Sequence, residues 1–199
     1  MSRFGFLGRK TDSEEKPIEP TAESRNSLEL DEELFSAAGA QLGGDNEALR
    51  GMATTAAALL FGIDQAPAIA HVGDSRIYIW RHRQLQQVTQ DHSWVSEQVR
   101  AGIMTEADAR RHPWRNVVTR ALAGGDDPEV DLATVPVQSG DRFLICSDGL
   151  SSVVTKETIE SSLAAAQDLE PTCQTLIAAA NAAGGPDNIT VALLQVDVE

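Results

Sequence analysis

Short apolar runs separated by polar turns dominate the chain from Met52 onward. Runs of this length, rich in β-branched residues and bounded by Gly, Pro, Asp or Ser, are typical of strands. The strands predicted in this way are Thr54–Ile63, Ala68–Val72, Ile77–Trp80, Leu85–Thr89, Val130–Val137, Phe143–Cys146 and Ile189–Val198. The polar residues Gly73–Asp74–Ser75–Arg76 between the second and third of these runs predict a hairpin.

Apolar positions at helical spacing predict helices in the N-terminal part, the middle and near the end of the chain. Their expected ranges are Leu28–Leu42, a segment after Asp91 or Ser93 that carries Trp94, Val95, Val99 and Ile103, a short helix opened by Thr105–Asp108, Glu157–Ala166 and Pro171–Ala183. Caps and breakers support them, because Pro171 lies in a first turn and Gly184 follows a helix end. Strands dominate without regular alternation, so the pattern predicts an α+β layered fold.

Residues 8–27 are polar and contain Pro17 and Pro20 without any apolar period. Such a composition buries too little apolar surface to order itself. We therefore predict a disordered tail over residues 1–26, followed by one domain over residues 27–199.

Composition narrows the classes of partner. The 199 residues include 30 acidic and 16 basic ones, for a net charge of −14. This charge argues against general binding to nucleic acid or to an anionic membrane. No apolar stretch approaches the ~20 residues that span a bilayer. The two cysteines, Cys146 and Cys173, fit a reducing compartment, so the sequence predicts a cytoplasmic protein.

The charge is unevenly distributed. Residues 71–120 hold eight arginines and five acids, whereas residues 121–199 hold thirteen acids and two basic residues. One interpretation is an ordinary solvated surface with a chance cluster of arginines. The other is an acidic cation-binding region beside an Arg-rich region that meets an anionic partner. The composition leaves both open.

Two aspartates adjoin predicted strands. Asp148 follows an apolar strand in Ser147–Asp148–Gly149, and Asp187 precedes the last strand in Gly184–Asn188. Each is also a common turn residue. If the two strands are neighbours, however, the carboxylates meet at one end of a sheet. Oxygen ligands of this kind suit Mg²⁺ or Mn²⁺, which can activate a water and neutralise a phosphoryl group. Asp74 is a third carboxylate in a tight turn, where a structural role is favoured.

Five motifs, taken together and in order, resemble a known family. They are Gly51–Thr55 (GMATT), His71–Tyr78 (HVGDSRIY), Thr89–Ser93 (TQDHS), Cys146–Leu150 (CSDGL) and Gly184–Val191 (GGPDNITV). Residues 28–199 thereby resemble the bacterial form of the PPM family, the type-2C-like metal-dependent protein serine/threonine phosphatases.

The resemblance implies a β-sandwich of two antiparallel sheets flanked by helices, with Mn²⁺ or Mg²⁺ in a cleft at one end. It implies that Asp148 and Asp187 bind the second catalytic metal and that Asp74 helps to hold a third. The implied reaction is hydrolysis of phosphoserine or phosphothreonine in a protein, which would be the substrate of a serine/threonine kinase. The segment Trp94–Leu122 resembles the mobile flap of bacterial members. Its Arg110, Arg111 and Arg115 would then approach the phosphoprotein.

Two features of the family pattern are absent from residues 1–50. The family pattern includes an Arg-containing acidic strand and an Asp-Gly-x-Gly-Gly segment whose Asp bridges two metals, and neither occurs there. We therefore expect an N-terminally incomplete domain. It could derive from a late start or deletion, be a pseudophosphatase that binds a phosphoprotein or kinase, or pair with a second chain that carries the missing strands. The family favours a hydrolase and the missing motif argues against catalysis by the isolated chain, so the sequence leaves enzyme and inactive binding module open.

Overall fold

A computed structural model describes residues 52–61, 66–123 and 129–197. They belong to two compact units, one comprising residues 75–90 and 137–197 and the other residues 52–61, 66–74, 91–123 and 129–136. The tail predicted over 1–26 and the helix predicted over Leu28–Leu42 lie outside the described residues. Within the described ranges, no helix combines the length and apolarity needed to cross a membrane.

The elements of the described residues follow the predicted order closely. The strands are β1 (Ala53–Thr54), β2 (Ala56–Leu60), β3 (Ala68–Val72), β4 (Arg76–Arg81), β5 (Gln84–Gln87), β6 (Leu122–Ala123), β7 (Asp131–Thr134), β8 (Arg142–Cys146) and β9 (Val191–Gln195). The helices are α1 (Trp94–Arg100), α2 (Glu106–Ala109), α3 (Asp148–Ser151), α4 (Lys156–Ala164) and α5 (Leu169–Ala182).

An antiparallel sheet of order β5-β4-β8-β9 forms the first unit together with α3, α4 and α5. Helix α5 packs against both β9 and α4. Ile77, Phe143, Leu144, Leu150 and Leu176 are fully excluded from solvent in this unit. Each such side chain contributes roughly 1.5–3 kcal/mol by leaving water. The core thereby holds β8 rigidly in the middle of the sheet.

The β4–β5 hairpin turns through two residues with unusual backbone angles. His82 and Arg83 have φ values of 52° and 59°. Positive φ at both central residues is typical of the type I′ turn, whose twist matches that of the flanking strands. The sequence does not indicate this turn, because neither residue is the Gly or Asn that usually accepts such angles.

The second unit contains the antiparallel sheet β2-β3-β7 and the two-stranded pair β1-β6. Ala70, Val72 and Leu122 form its buried cluster. Helix α1 begins as predicted after Ser93, whose hydroxyl accepts a hydrogen bond from the Ser96 N–H at 3.3 Å. Thr105 caps α2 in the same manner. These caps satisfy backbone donors that would otherwise lack partners.

The hairpin predicted at Gly73–Arg76 is wrong. Strand β3 pairs with β2 and β7, whereas β4 pairs with β5 and β8. The connection therefore links two different sheets, although its residues have ordinary turn chemistry. Local turn signals report a change of direction and carry no information on which strands pair afterwards.

An ion pair ties β4 to the turn before β8. Arg81 donates from Nε and Nη2 to the two carboxylate oxygens of Asp141, at 2.9 and 2.6 Å. Asp141 is 2% exposed and also accepts a hydrogen bond from the Gln138 N–H at 2.7 Å. A forked, largely buried pair of this kind is much stronger than an exposed one.

We expect Asp141→Ala to lower the free energy of unfolding by about 2–3 kcal/mol, because Arg81 and the Gln138 amide lose a charged acceptor. Arg110→Ala is the matched control, since it removes an exposed pair with Glu106 at 3.5 Å. The control should cost less than about 1 kcal/mol. Urea unfolding of both variants measures the difference, and equal losses would contradict the ranking.

Candidate functional site

Strand pairing in the first unit brings two of the predicted site residues to one end of the sheet. Strands β8 and β9 are antiparallel, with Cys146 opposite Val191. The chain beyond the end of β8 therefore meets the chain before the start of β9. Asp148 lies two residues after Cys146, and Asp187 lies four residues before Val191. The two strands are neighbours, as the metal-site hypothesis required.

The two segments are in direct backbone contact. A Cβ atom added to Gly149 would lie only 2.4 Å from the carbonyl oxygen of Asn188, so a larger residue does not fit there. The Ser147 hydroxyl donates to the same carbonyl at 2.8 Å and accepts from the Thr190 N–H at 3.0 Å. Asp148 begins helix α3 rather than a simple turn. Glycine, hydroxyl and helix start together fix the position of Asp148 relative to the loop that carries Asp187.

The negative charge of Asp187 acts on the Asp148 carboxyl group. Burial raises the pKa of Asp148 above its usual range, and the negative charge of Asp187 raises it further. Backbone N–H groups at the helix start and the positive charge of Arg76 act in the opposite direction. Without a cation, folding thus brings together two charges that repel each other. Such an arrangement is unfavourable in itself and is typical of a cation-binding site.

The third predicted ligand, Asp74, lies in the second unit, directly after Gly73. Gly73 has a φ of 107°, and a Cβ there would lie 2.3 Å from Cγ2 of Thr55. Only glycine satisfies both constraints. The structure thus explains why this turn contains Gly73, while the role of Asp74 as an accessory ligand stays a prediction.

Sequence reasoning missed a cluster in the second unit that combines His71, His92 and Asp131. The possible ligand atoms of these three residues lie within 4.8 Å of one another. Both histidines are 1% exposed, and their rings are 4.9 Å apart. The sequence gives no local signal that links the two histidines, because His71 lies in an apolar run and His92 lies in the polar segment Thr89–Ser93. Only the pairing of β3 with β7, with His71 opposite Asp131, reveals that they meet.

The three flap arginines that are predicted to approach the phosphoprotein are solvent exposed: Arg110, Arg111 and Arg115. Arg110 follows α2 and lies 3.5 Å from Glu106. Trp94, His112 and Trp114 form an aromatic cluster beside them, with Trp94 stacked on His112 at 4.9 Å and meeting Trp114 edge-on at 4.9 Å. Trp114 is nevertheless 54% exposed. The segment thus presents positive charge and an aromatic surface together.

Comparison with known proteins identifies the family. Residues 8–193 match the family model described as protein phosphatase 2C. The chain belongs to this family, which confirms the resemblance found in the sequence.

The chain is similar to protein phosphatase PhpP of Streptococcus pneumoniae, with 42% identity over 78% of this chain and 63% of that protein. It thus spans less than two thirds of that relative. A crystal structure of the Mycobacterium tuberculosis serine/threonine phosphatase PstP/Ppp is similar at 38% identity and a TM-score of 0.75, over 82% of this chain and 68% of that one. The catalytic domain of PstP in complex with two manganese ions matches at 34% identity and a TM-score of 0.73, over 90% and 74% of the two chains. These similarities confirm the predicted fold class.

The repulsion between the two carboxylates gives a stability prediction for the metal-free protein. The pKa of Asp148 is raised in the fold, so the cost of its ionisation begins as the pH rises above the ordinary aspartate pKa and is complete above the raised pKa. Asp148→Asn should therefore stabilise the metal-free protein at pH 7, by about 0.5 kcal/mol because the site is half exposed. The gain should vanish as the pH falls below the ordinary aspartate pKa near 4.

A double-mutant cycle with Asp187→Asn supplies the control. Once either charge is removed, removal of the second should stabilise the protein less than the same substitution stabilises the wild-type protein. Thermal unfolding in the presence of a chelator measures all four proteins. Strictly additive effects would show that the carboxylates do not interact.

Proposed function

We propose that this chain carries the metal-binding and substrate-facing parts of a phosphatase that hydrolyses phosphoserine and phosphothreonine in proteins. One observation carries the proposal: Asp148 and Asp187 are held together by backbone contact although their charges repel. Membership of the protein phosphatase 2C family supports the reaction class.

The donor set fits Mn²⁺ or Mg²⁺. Both ions prefer hard oxygen ligands, and the site offers two carboxylates beside backbone carbonyls. Asp187 is exposed and Asp148 is partly exposed, so a cation can reach them with its own waters. Asp148 and Asp187 would hold one ion, while the family resemblance assigns Asp74 as an accessory ligand to a separate, third ion. The manganese ions bound by the PstP catalytic domain support this choice of metal.

The chemistry follows from charge. Divalent ions at such a site would lower the pKa of a bound water, which makes a hydroxide nucleophile available at neutral pH, and would place positive charge near the phosphoryl group. The contribution of this chain is positional: the Ser147 and Gly149 contacts hold Asp148 against the Asp187 loop before any ligand arrives. Preorganisation of this kind avoids a reorganisation cost during the reaction.

Activity is tested with an aryl phosphate in the presence and absence of Mn²⁺. If the chain is catalytically competent, its turnover should depend on Mn²⁺ and should decrease by at least about 100-fold in Asp148→Asn, since loss of a major electrostatic contact costs that much. Asp197→Asn is the matched control, because it neutralises an exposed aspartate just beyond β9. It should retain full activity.

A second candidate is a catalytically inactive module that binds a phosphoprotein or a kinase. The absence of an Asp-Gly-x-Gly-Gly segment from residues 1–50 favours it. The same assay separates the two functions. Cooperative unfolding and Mn²⁺ binding by calorimetry without any turnover would support the inactive module, whereas turnover that depends on Asp148 would exclude it.

The flap arginines would serve the protein substrate rather than the chemistry. Arg110, Arg111 and Arg115 lie in one exposed segment beside Trp114. Guanidinium groups bind phosphate and acidic side chains through paired hydrogen bonds, and an exposed tryptophan adds apolar contact. We infer that this surface contacts the phosphoprotein around its phosphorylated residue.

Replacing both Arg111 and Arg115 with Ala should raise KM for a phosphorylated protein by about tenfold, since each lost charged contact is worth about 0.5–1 kcal/mol at an exposed site. The KM for a small aryl phosphate should stay within twofold, because that substrate has no polypeptide segment for the arginines to contact. Arg83→Ala, at the exposed hairpin turn, is the control. Equal effects on both substrates would contradict a docking role.

A further inference from the structure

His92 is enclosed by two hydrogen-bonding partners in the second unit. Its Nδ1 lies 3.1 Å from the backbone N of Gly73, and its Nε2 lies 2.9 Å from Oδ2 of Asp131. A backbone N–H can only donate, so Nδ1 must be the unprotonated acceptor. Nε2 therefore carries the proton, and Nε2–H donates a hydrogen bond to the carboxylate. The two contacts together define one tautomer of the ring.

On one side, His92 holds the turn that precedes Asp74. In addition to the ring contact, the His92 N–H donates to the Gly73 carbonyl at 2.8 Å. On its other face, Gly73 lies against Thr55 so closely that a Cβ would not fit. Gly73 is thus bonded to His92 through both its N–H and its carbonyl group. Its neighbour in the chain is Asp74.

On the other side, Asp131 is itself held. Arg120 donates from Nη1 to Oδ1 of Asp131 at 2.8 Å, while Oδ2 accepts the hydrogen bond from His92 Nε2–H. Burial acts to raise the pKa of Asp131, but the hydrogen bonds from His92 and Arg120 outweigh it and keep the pKa below its usual value. The group is therefore a carboxylate at neutral pH, able to orient the imidazole ring.

The same residues have the composition of a transition-metal site, since His71 lies beside His92 and Asp131. Both nitrogens of the His92 ring, however, already have partners among the described residues, and Nδ1 faces a backbone donor. A metal bound at Nε2 would have to take the place of the proton between His92 and Asp131. The geometry fits a relay of hydrogen bonds, from Arg120 through Asp131 and His92 to Gly73, better than an ion site.

We propose that His92, oriented by Asp131 and Arg120, is a positioning residue that sets the conformation of the Gly73–Asp74 turn and thereby the placement of the Asp74 carboxylate. The relay itself depends only on contacts within the second unit. Its consequence for metal binding rests on the proposed function, in which Asp74 is an accessory ligand.

Two substitutions test the two ring hydrogen bonds of His92 separately, the one to Gly73 and the one to Asp131. In His92→Asn the side-chain oxygen can replace Nδ1 as the acceptor for Gly73, whereas in His92→Gln the amide nitrogen can replace Nε2 as the donor to Asp131. The Gly73 amide should exchange with solvent at least tenfold faster in His92→Gln than in His92→Asn, as measured by NMR without metal. His82→Asn, in the exposed hairpin turn, is the control and should leave this exchange unchanged.

Several results would overturn the relay. One is equal exchange of the Gly73 amide in the two variants. Another is a ¹⁵N chemical shift showing a protonated Nδ1 in wild-type His92, a measurement that needs no variant to fold. A third is stoichiometric Zn²⁺ binding that shifts the His71 and His92 ring signals together, because that outcome identifies a metal site.

The expected effect on metal binding is measured separately, by calorimetric titration with Mn²⁺. His92→Gln and Asp74→Asn should weaken Mn²⁺ binding to similar extents, and the double variant should be no weaker than either single variant. Additive losses would overturn the link from His92 to Asp74. If the wild-type chain binds no Mn²⁺ at all, the proposed function fails, while the exchange measurement still decides the relay.

Discussion

The antiparallel pairing of β8 with β9 is the constraint on which the candidate site depends. It places the end of one buried strand beside the start of another and so sets two aspartates, distant in sequence, at one end of the sheet. The pairing is maintained by a core in which Phe143 and Leu144 are fully buried. Apolar burial thus provides the free energy that holds two like charges together. A shift of register by one residue would turn these side chains away from the core and separate the carboxylates.

The chain uses a glycine beside Asp148 and another beside Asp74, and in each place the glycine lets two backbone segments come close together. Gly149 lets the start of α3 touch the Asn188 carbonyl, and Gly73 lets its turn lie against Thr55. In each case a polar side chain then fixes the backbone: Ser147 in the first turn and His92 in the second. The backbone around Asp148 and Asp74 is therefore defined by contacts within the protein. Carboxylates held in this way would lose little conformational entropy on binding a ligand.

Most elements of the described residues could be predicted because their signals are local. Ser93 and Thr105 cap helices as expected, and the apolar runs become strands with ends displaced by a few residues. Pairing is not local, which is why the prediction of a hairpin at Gly73–Arg76 is wrong, while His82 and Arg83 carry no sequence signal for the hairpin that they form. The site shows the same division. Asp148 and Asp187 stand out by turn chemistry, whereas Asp131 is an ordinary strand residue until β7 pairs with β3.

The Arg-rich stretch over residues 71–120 illustrates how charge counts change meaning once partners are known. Arg81 is committed to the buried Asp141, Arg120 to Asp131, and Arg100 to the carbonyl of Asp91. These three side chains are structural, so their charge is largely neutralised or occupied within the fold. The arginines that face solvent in the flap are Arg110, Arg111 and Arg115. Part of the stretch thus orders the two units internally. Of its other exposed arginines, three lie in the segment that contains the exposed Trp114, whereas Arg83 lies in the β4–β5 turn.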